Sequence, residues 1–434
     1  MSISNFSEFG LAEPIQRALK EREHTIPTPI QARSIPDLLQ GRDMLGIAQT
    51  GTGKTAAFAL PILHNLAKGE VNNKSRNPRA LVLAPTRELA IQIGEEFRLY
   101  SKYMHLRHTV IFGGVSQKAQ ATAMHRGVDI LVATPGRLLD LMQQRIVKLG
   151  EVKYLVLDEA DRMLDMVFVR DVRKIIAALP QERQSLLFSA TMPGEVGKLS
   201  GDLLYKPVRV EVTPQATPVE RIKQCVHHVS ADGKRKLLED ILSDPAYARV
   251  IVFSRTKHRA NRVAMQLTKA GIEADAIHGN KSQGARQRAL KSFRTGDIRA
   301  LVATDIAARG IDVDGITHVI NFELPNEPES YVHRIGRTAR AGASGAAISF
   351  CDNTERLYLR DIEKLLGAKL KVIGAEPVGE PVKPPTKSRN NRGGHPGQSP
   401  KKTRHRSGRG AAHRKGGSNQ NAGGGRQANA RQAA

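Results

Sequence analysis

The chain contains no tryptophan, only two cysteines and few aromatic residues, 4% of its 434 positions. Cys225 and Cys351 lie far apart and show no metal-ligand spacing, which excludes a disulfide framework or a zinc site as an organising feature. Both read as small buried thiols. Acid is also scarce: 42 Asp and Glu stand against 67 Lys and Arg, for a formal net charge of +25. That excess points to a polyanionic partner, because cations that neutralise phosphates release condensed counterions. Charge alone does not separate RNA, DNA and an anionic membrane. No run approaches the ~18 apolar residues a membrane span needs. The N-terminal MSISNFSEFG also lacks the charged start and apolar stretch of a secretory leader. A soluble chain in a reducing, cytoplasmic compartment is expected.

A chain of 434 residues, 40% of them hydrophobic, exceeds the ~250–300 residues at which a single core stops growing. Two domains and a tail follow. From Met44 onward the apolar runs MLGIA, RALVLAP, DILVATP and KYLVLDEAD alternate with stretches of helical period, such as Arg87 to Met104. This alternation predicts an α/β fold with a parallel sheet covered on both faces. EVTPQATPVE, Glu211 to Glu220, breaks the pattern, since Pro214 and Pro218 suit neither a helix interior nor a central strand. The runs IKQCVHHVS, RVIVFS, IEADAIHG, RALVATD, HVINFE and GAAISFC then restart it. The resulting division is a first domain at 1–212, a linker at 213–221, a second domain at 222–375 and a tail at 376–434. Leu131 to Thr134 and Leu301 to Thr304 both read LVAT, a faint internal echo. From Pro381 to the end there are 13 Lys or Arg and no acid, amid Gly, Asn, Gln and Ser, and no aromatic follows Tyr358. Such a composition buries too little apolar surface to order itself, so a disordered basic tail is expected.

Ala48-Gln49-Thr50-Gly51-Thr52-Gly53-Lys54-Thr55 follows one of the apolar runs and opens a helical stretch, the context of a phosphate-binding loop. Gly51 and Gly53 let backbone N–H groups and the helix N-terminus point at phosphate oxygens. Lys54 supplies a charge for the β and γ phosphates of ATP, and Thr55 a hydroxyl for Mg²⁺. Tyr154 to Leu157 runs into Asp158-Glu159-Ala160-Asp161. Taken alone, three such acids read as a solvated helix start. Paired with the loop, Asp158 becomes a second Mg²⁺ ligand and Glu159 the group that orients and deprotonates the attacking water.

Together, AQTGTGKT and DEAD resemble the DEAD-box ATP-dependent RNA helicases, and the family's further motifs occur in order between about Phe6 and Gly367. The resemblance implies two tandem RecA-like domains that bind ATP, Mg²⁺ and RNA. It assigns RNA contacts to Pro85, Thr86, Arg87, Gly114, Thr134 and Arg137 in the first domain. In the second it assigns them to Gly279, Gln283, Arg286, Thr304 and Arg309. It makes Asp161, Ser189, Thr191 and His333 coupling residues, with the Ser189 and Thr191 hydroxyls bonding back toward the acids. Arg337 and Arg340, which in isolation would read as a basic helix face, become arginine fingers meeting the γ phosphate on closure, and Asp312 a ribose contact. Gln31, in PTPIQ, would read the adenine edge through its amide. Phe6 would stack on the adenine face. Without the family, Thr28-Pro29 is simply a helix cap followed by Pro.

Three places depart from the family pattern: Ala339 stands where Gly is usual, Val167 follows Asp165-Met166 where the family has Gly, and Glu23-His24 replace a Gly-aromatic pair. The phrase around Arg162-Met163-Leu164 and the basic tail look most like the bacterial RhlE-type branch. A sequence-tolerant RNA partner is expected, within ribosomal-precursor or RNA-decay assemblies, and DNA and membrane are not. Two other readings stay open: a DNA helicase of related fold, and a binding protein with a vestigial nucleotide site.

Overall fold

The structure, a computed structural model, describes residues 3–49, 51–69, 76–165, 168–212, 222–308, 311, 313, 315–339 and 345–375. Thr50, Val167, Arg309, Asp312, Arg340, the linker at 213–221 and the tail at 376–434 lie outside the described residues.

After a 3-10 turn at Phe6–Phe9, the first lobe contains α1 (Glu13–Glu21), α2 (Pro29–Leu39), β1 (Met44–Ile47), α3 (Lys54–Lys68), β2 (Ala80–Leu83) and α4 (Arg87–Tyr100). It continues with β3 (His108–Ile111), α5 (Lys118–Arg126), β4 (Ile130–Ala133), α6 (Pro135–Gln143), β5 (Tyr154–Leu157), α7 (Ala160–Asp165) and α8 (Val169–Ala177). β6 (Gln184–Ser189), α9 (Gly194–Leu203) and β7 (Val208–Glu211) complete it. The second lobe contains β8 (Ile222–His228), α10 (Lys234–Ser243), β9 (Val250–Phe253), α11 (Lys257–Lys269), β10 (Ala274–Ile277), α12 (Gln283–Thr295) and β11 (Ala300–Ala303). Then come α13 (Asp305–Ala308), β12 (His318–Asn321), α14 (Pro328–Ile335), β13 (Gly345–Cys351), α15 (Arg356–Leu366) and β14 (Lys371–Ile373).

Each lobe is built on one parallel sheet. The orders are β3-β4-β2-β5-β6-β1-β7 and β10-β11-β9-β12-β13-β8-β14. Position for position these are the same arrangement, and the LVAT echo falls in β4 and β11, each second in its sheet. Alternate residues serve opposite faces, as period-two side chains must. In β2, Ala80 and Val82 join the cluster under α3 and α4, while Leu81 and Leu83 join the one that takes Leu138 and Leu141 of α6. Both faces are covered, so strands such as MLGI are apolar throughout.

The apolar runs correspond to β1, β2, β4, β5 and β8 to β13. β3, β7 and β14 carry no such run, whereas β6 carries Leu186, Leu187 and Phe188 and is buried throughout. β14 is three residues with both ends exposed, and β3 is half-buried over most of its length, so neither needs a continuous apolar run. Among the described residues no helix is long and apolar enough to cross a membrane.

Two of the departures from the family pattern coincide with left-handed backbone: Glu23 has φ 57° and Ala339 φ 54°. An L side chain crowds the following carbonyl there, which glycine avoids. Ala339→Gly is therefore expected to stabilise the protein by about 1 kcal/mol, the relief of left-handed strain exceeding glycine's extra unfolded-state entropy. Chemical denaturation of both proteins measures the difference.

Candidate active site and nucleic-acid interface

Parallel strands deliver their following loops to one edge of the sheet. At that edge of the first lobe lies a cavity of about 830 Å³, lined by Gln31, Gly51, Gly53, Lys54, Thr55, Asp158 and Glu159. His24, Tyr100 and the α4 residues Gln92, Glu95 and Glu96 extend its wall, and Arg249, Arg294 and Val313 face it from the second lobe.

The loop leaves β1 through Ala48 and Gln49, which follow Ile47 directly. Gly51 and Gly53 take φ of 83° and 89°, and Gly53 caps α3. A Cβ on Gly53 would come within 2.4 Å of Gln31 Nε2, so glycine is required twice over there. The loop is closed upon itself: Lys54 Nζ donates to Ala48 O at 2.8 Å, and Thr52 Oγ1 to Gln49 O at 2.8 Å. Lys54 is itself buried.

Gln31 ties the upstream motif to the same loop. Its Nε2 donates to Gly53 O at 3.0 Å and its Oε1 accepts from Thr28 N at 2.8 Å. Thr28 with Pro29 does start α2, as the capping reading requires.

Phe6, which the resemblance assigns to the adenine face, has its ring buried in the core, 5.8 Å from that of Phe9, donates its N–H to Thr25 O and is not among the residues lining the cavity. His24, seven residues before Gln31, lines that wall together with Tyr100, the two rings 6.2 Å apart. Burial, helped by Arg22, lowers its pKa, which favours the neutral ring.

The three acids have three different partners. Asp158 Oδ1 accepts from Glu159 N at 2.9 Å. Burial pushes the Asp158 carboxyl up to about 6, against the pull of Lys54 and with help from neighbouring Glu159 and Asp161. Glu159 Oε2 accepts from Arg162 Nη1 at 3.1 Å, and both side chains are buried. Asp161 Oδ2 accepts from Ala190 N, Thr191 N and Thr191 Oγ1 at 3.2, 3.0 and 3.0 Å. Ser189 Oγ accepts from Asp161 N at 3.3 Å and donates to Thr191 O at 2.7 Å. The end of β6 is thereby bonded to the end of β5.

The sequence-assigned RNA loops occupy the same edge of each sheet. Pro85 and Thr86 join β2 to α4, where Thr86 Oγ1 caps the helix by accepting from Leu89 N. Arg87 lies against Gly114, whose φ is 77° and where a Cβ would fall 2.1 Å from the guanidinium. Thr134 precedes α6, and Arg137 donates to Val115 O at 3.2 Å. In the second lobe Gly279 follows β10 beside His278, whose Nε2 lies 2.8 Å from Asn261 Oδ1, and Thr304 follows β11.

Gln283 and Arg286 are placed differently from the sequence-based assignment. Both are buried, and both contact Glu88 of the first lobe: Gln283 Nε2 donates at 3.1 Å, and Arg286 Nη2 lies 2.9 Å from the carboxylate. Their polar groups join the lobes rather than lying open to a ligand. Arg337 is also buried, with Nη1 donating to Ile311 O at 2.9 Å and Nε to His333 O at 3.3 Å, and it does not line the large cavity. Lys54, Asp158 and Glu159 are brought together, while Arg337 is not among them.

Sequence reasoning missed His24, Glu88, Arg162, Arg249 and Arg294. Glu88 lay inside the recognised Pro85 to Leu89 phrase and His24 at a recognised departure, whereas nothing local distinguishes Arg249 or Arg294 from other surface cations.

Residues 28–199 match the DEAD/DEAH box helicase family, and residues 233–342 match the helicase conserved C-terminal domain. The chain is 42% identical over 373 residues to the ATP-dependent RNA helicase CshA of Listeria monocytogenes, covering 86% of this chain and 71% of that protein. It is also 42% identical over 384 residues to the DEAD-box ATP-dependent RNA helicase CshA of Geobacillus kaustophilus, covering 88% and 79%. Among solved structures, S. cerevisiae Dbp5 bound to RNA and ADP BeF3 is similar with a TM-score of 0.74 and 32% identity, over 86% of this chain and 96% of that one. With two RecA-like lobes of identical strand order and a phosphate loop facing the Asp158 to Asp161 acids, the chain belongs to the DEAD-box family of ATP-dependent RNA helicases.

Proposed function

We infer that this chain is an RNA-stimulated ATP hydrolase that separates short RNA duplexes locally or remodels RNA–protein complexes. The observation that carries this reading is the convergence of Lys54, Asp158, Glu159 and Gln31 on one cavity at the edge of a parallel sheet. Lys54 takes the β and γ phosphates. Glu159 orients and deprotonates water, and Gln31 reads the adenine edge once its amide is released from Gly53 or Thr28. The neutral His24 ring supplies the face beneath the base.

Mg²⁺ is held by one or two protein ligands plus substrate phosphates, here Asp158 and Thr55. The carboxyl of Asp158 is buried and hard to ionise alone, a group that gains from a bound cation. When bound, Mg²⁺ neutralises charge on the phosphate oxygens. Asp161 links the same edge to Ser189 and Thr191, so movement of the acids is passed to the end of β6.

Arg337 serves as an arginine finger only after leaving Ile311 O and His333 O; Arg340 is proposed as its partner and Asp312 as the ribose contact. Gln283 and Arg286 contribute chiefly by holding the lobes together through Glu88. RNA itself is met by Thr86, Arg87, Gly114, Thr134, Arg137, Gly279, Thr304 and Arg309, whose backbone, hydroxyl and guanidinium groups suit phosphate and sugar oxygens and hence tolerate sequence. His333 couples these loops to the finger helix. We further propose a cytoplasmic setting, with ribosomal precursors or RNA-decay assemblies as substrates. The similar CshA proteins neither require nor exclude the RhlE-type branch, which rests on the phrase near Arg162 and the tail composition. The first lobe, linker, second lobe and tail are assigned to 1–212, 213–221, 222–375 and 376–434.

Glu159→Gln is expected to lower RNA-stimulated ATP turnover by roughly 10²–10⁴-fold. A wild-type protein whose turnover RNA does not raise above that of the variant would remove the enzyme reading, and equal stimulation by DNA would favour the DNA-helicase reading.

The folded value of Asp158 is raised, so its contribution to stability is present below the unfolded value, about 4, and is lost as pH rises through about 6. Asp158→Asn, which retains an acceptor for Glu159 N, should therefore stabilise the nucleotide-free protein at pH 8 by about 1–3 kcal/mol, with the gain shrinking toward pH 4. Thermal melts at both pH values read this directly.

The tail acts as a nonspecific RNA tether. Truncation after Lys383 should flatten the dependence of RNA affinity on log[salt] while leaving maximal ATP turnover intact. An unchanged slope would leave only a solubilising role.

A further inference from the structure

We propose that Arg162 is the positioning residue that holds Glu159 for the hydrolysis step, an inference that rests on the assignment of Glu159 above. Three observations converge on the pair. Glu159 has a backbone φ of 52°, in the left-handed region where a residue with a Cβ is strained. Such strain persists only where the surroundings over-determine it, and it gathers at functional positions. Its side chain is held by a guanidinium from the first turn of α7, with Arg162 Nη1 3.1 Å from Oε2. Both side chains are withdrawn from water, 4% exposed for Glu159 and 5% for Arg162, so the contact is neither screened nor exchanged for solvent as a surface pair would be.

The geometry divides the labour. Glu159 lines the cavity and Arg162 is not among its lining residues, so the carboxylate faces the cavity while the guanidinium that meets it does not form the wall. Arg162 is in turn fixed by its backbone, whose N–H donates to Asp161 Oδ1 at 3.0 Å and to Glu159 O at 3.0 Å. Asp161 is bonded to Ala190 and Thr191. A chain of contacts thus runs from the β6 end through Asp161 and the Arg162 backbone to the residue whose guanidinium meets Glu159. Asp158 is independent of this chain, since its contact runs to the backbone of Glu159 and not to Arg162. Arg162 touches no reacting atom. It keeps one carboxylate oxygen engaged so that the side chain presents a single orientation to the attacking water. Loss of that orientation affects the chemical step and leaves ATP and RNA binding in place.

The test compares kcat and KM for ATP at saturating RNA, together with RNA affinity, in wild type, Arg162→Ala, Arg162→Lys, Glu159→Gln and the Glu159→Gln/Arg162→Ala double variant. Arg162→Ala should lower kcat by about 10²-fold with KM for ATP and RNA affinity within about 2-fold of wild type. Arg162→Lys retains charge without the planar fork and should recover part of the loss, leaving kcat about 10-fold low. In the Glu159→Gln background, adding Arg162→Ala should change the residual rate by less than about 2-fold, because the group it positions is already disabled. Wild-type kcat in Arg162→Ala, a parallel loss of kcat and nucleotide binding, or a full additional loss in the double variant would each overturn the proposal. If Arg162→Ala does not fold, having left a buried carboxylate unpaired, the lysine variant decides: a kcat loss at constant KM supports positioning, and wild-type kcat refutes it. Wild-type turnover in Glu159→Gln is a separate result, which removes the role of Glu159 itself.

Discussion

The uniform direction of the strands governs what this molecule can do. Fourteen parallel strands among the described residues, seven per sheet, send every following loop to the same edge of their own sheet. The phosphate loop, the acids after β5 and the Ser189 to Thr191 segment after β6 are far apart in sequence. They meet because β5, β6 and β1 are neighbours in that order. An antiparallel arrangement would send alternate loops to the opposite edge and separate these groups by the length of a strand.

Within that edge the chemistry depends on differential pairing of like-charged groups. Asp158, Glu159 and Asp161 lie within four residues and are all buried, a placement that costs free energy unless each has a partner. The partners differ in kind. Asp158 receives a backbone N–H and faces Lys54, Glu159 receives a guanidinium, and Asp161 receives two backbone N–H groups and a hydroxyl. Desolvation exceeds compensation at Asp158, whose carboxyl is pushed up to about 6. That group is therefore the one with most to gain from an added cation.

Joining the two lobes is also a matter of buried charge. Glu88, which directly follows Arg87, takes Gln283 and Arg286 from a helix of the other lobe. The loop and helix start after β2 are thus bonded to the second lobe. The same economy appears at Gln31, whose amide spans Thr28 and Gly53 and connects the PTPIQ segment to the glycine-rich loop. Contacts that a local reading assigns to ligand are, in the folded chain, shared with the protein.

The sequence by itself determined the fold class, the strands with continuous apolar runs, the phosphate loop and the acids, because these depend on local composition and short spacing. Gly51 and Gly53 were legible from the turn they must make, and Lys54 from its place after them. The burial of Phe6 and the place of His24 on the cavity wall were not legible, since which aromatics face a cavity depends on how the N-terminal segment packs. The partners of Glu88 and Glu159 were equally hidden: one is nearly 200 residues away, and the other is a surface-type cation that burial turns into a ligand. Short-range patterns specify elements because backbone hydrogen bonding and side-chain periodicity are local. Which buried polar groups satisfy one another was decided only by the tertiary structure, because removal from water requires partners that the packing of distant elements supplies.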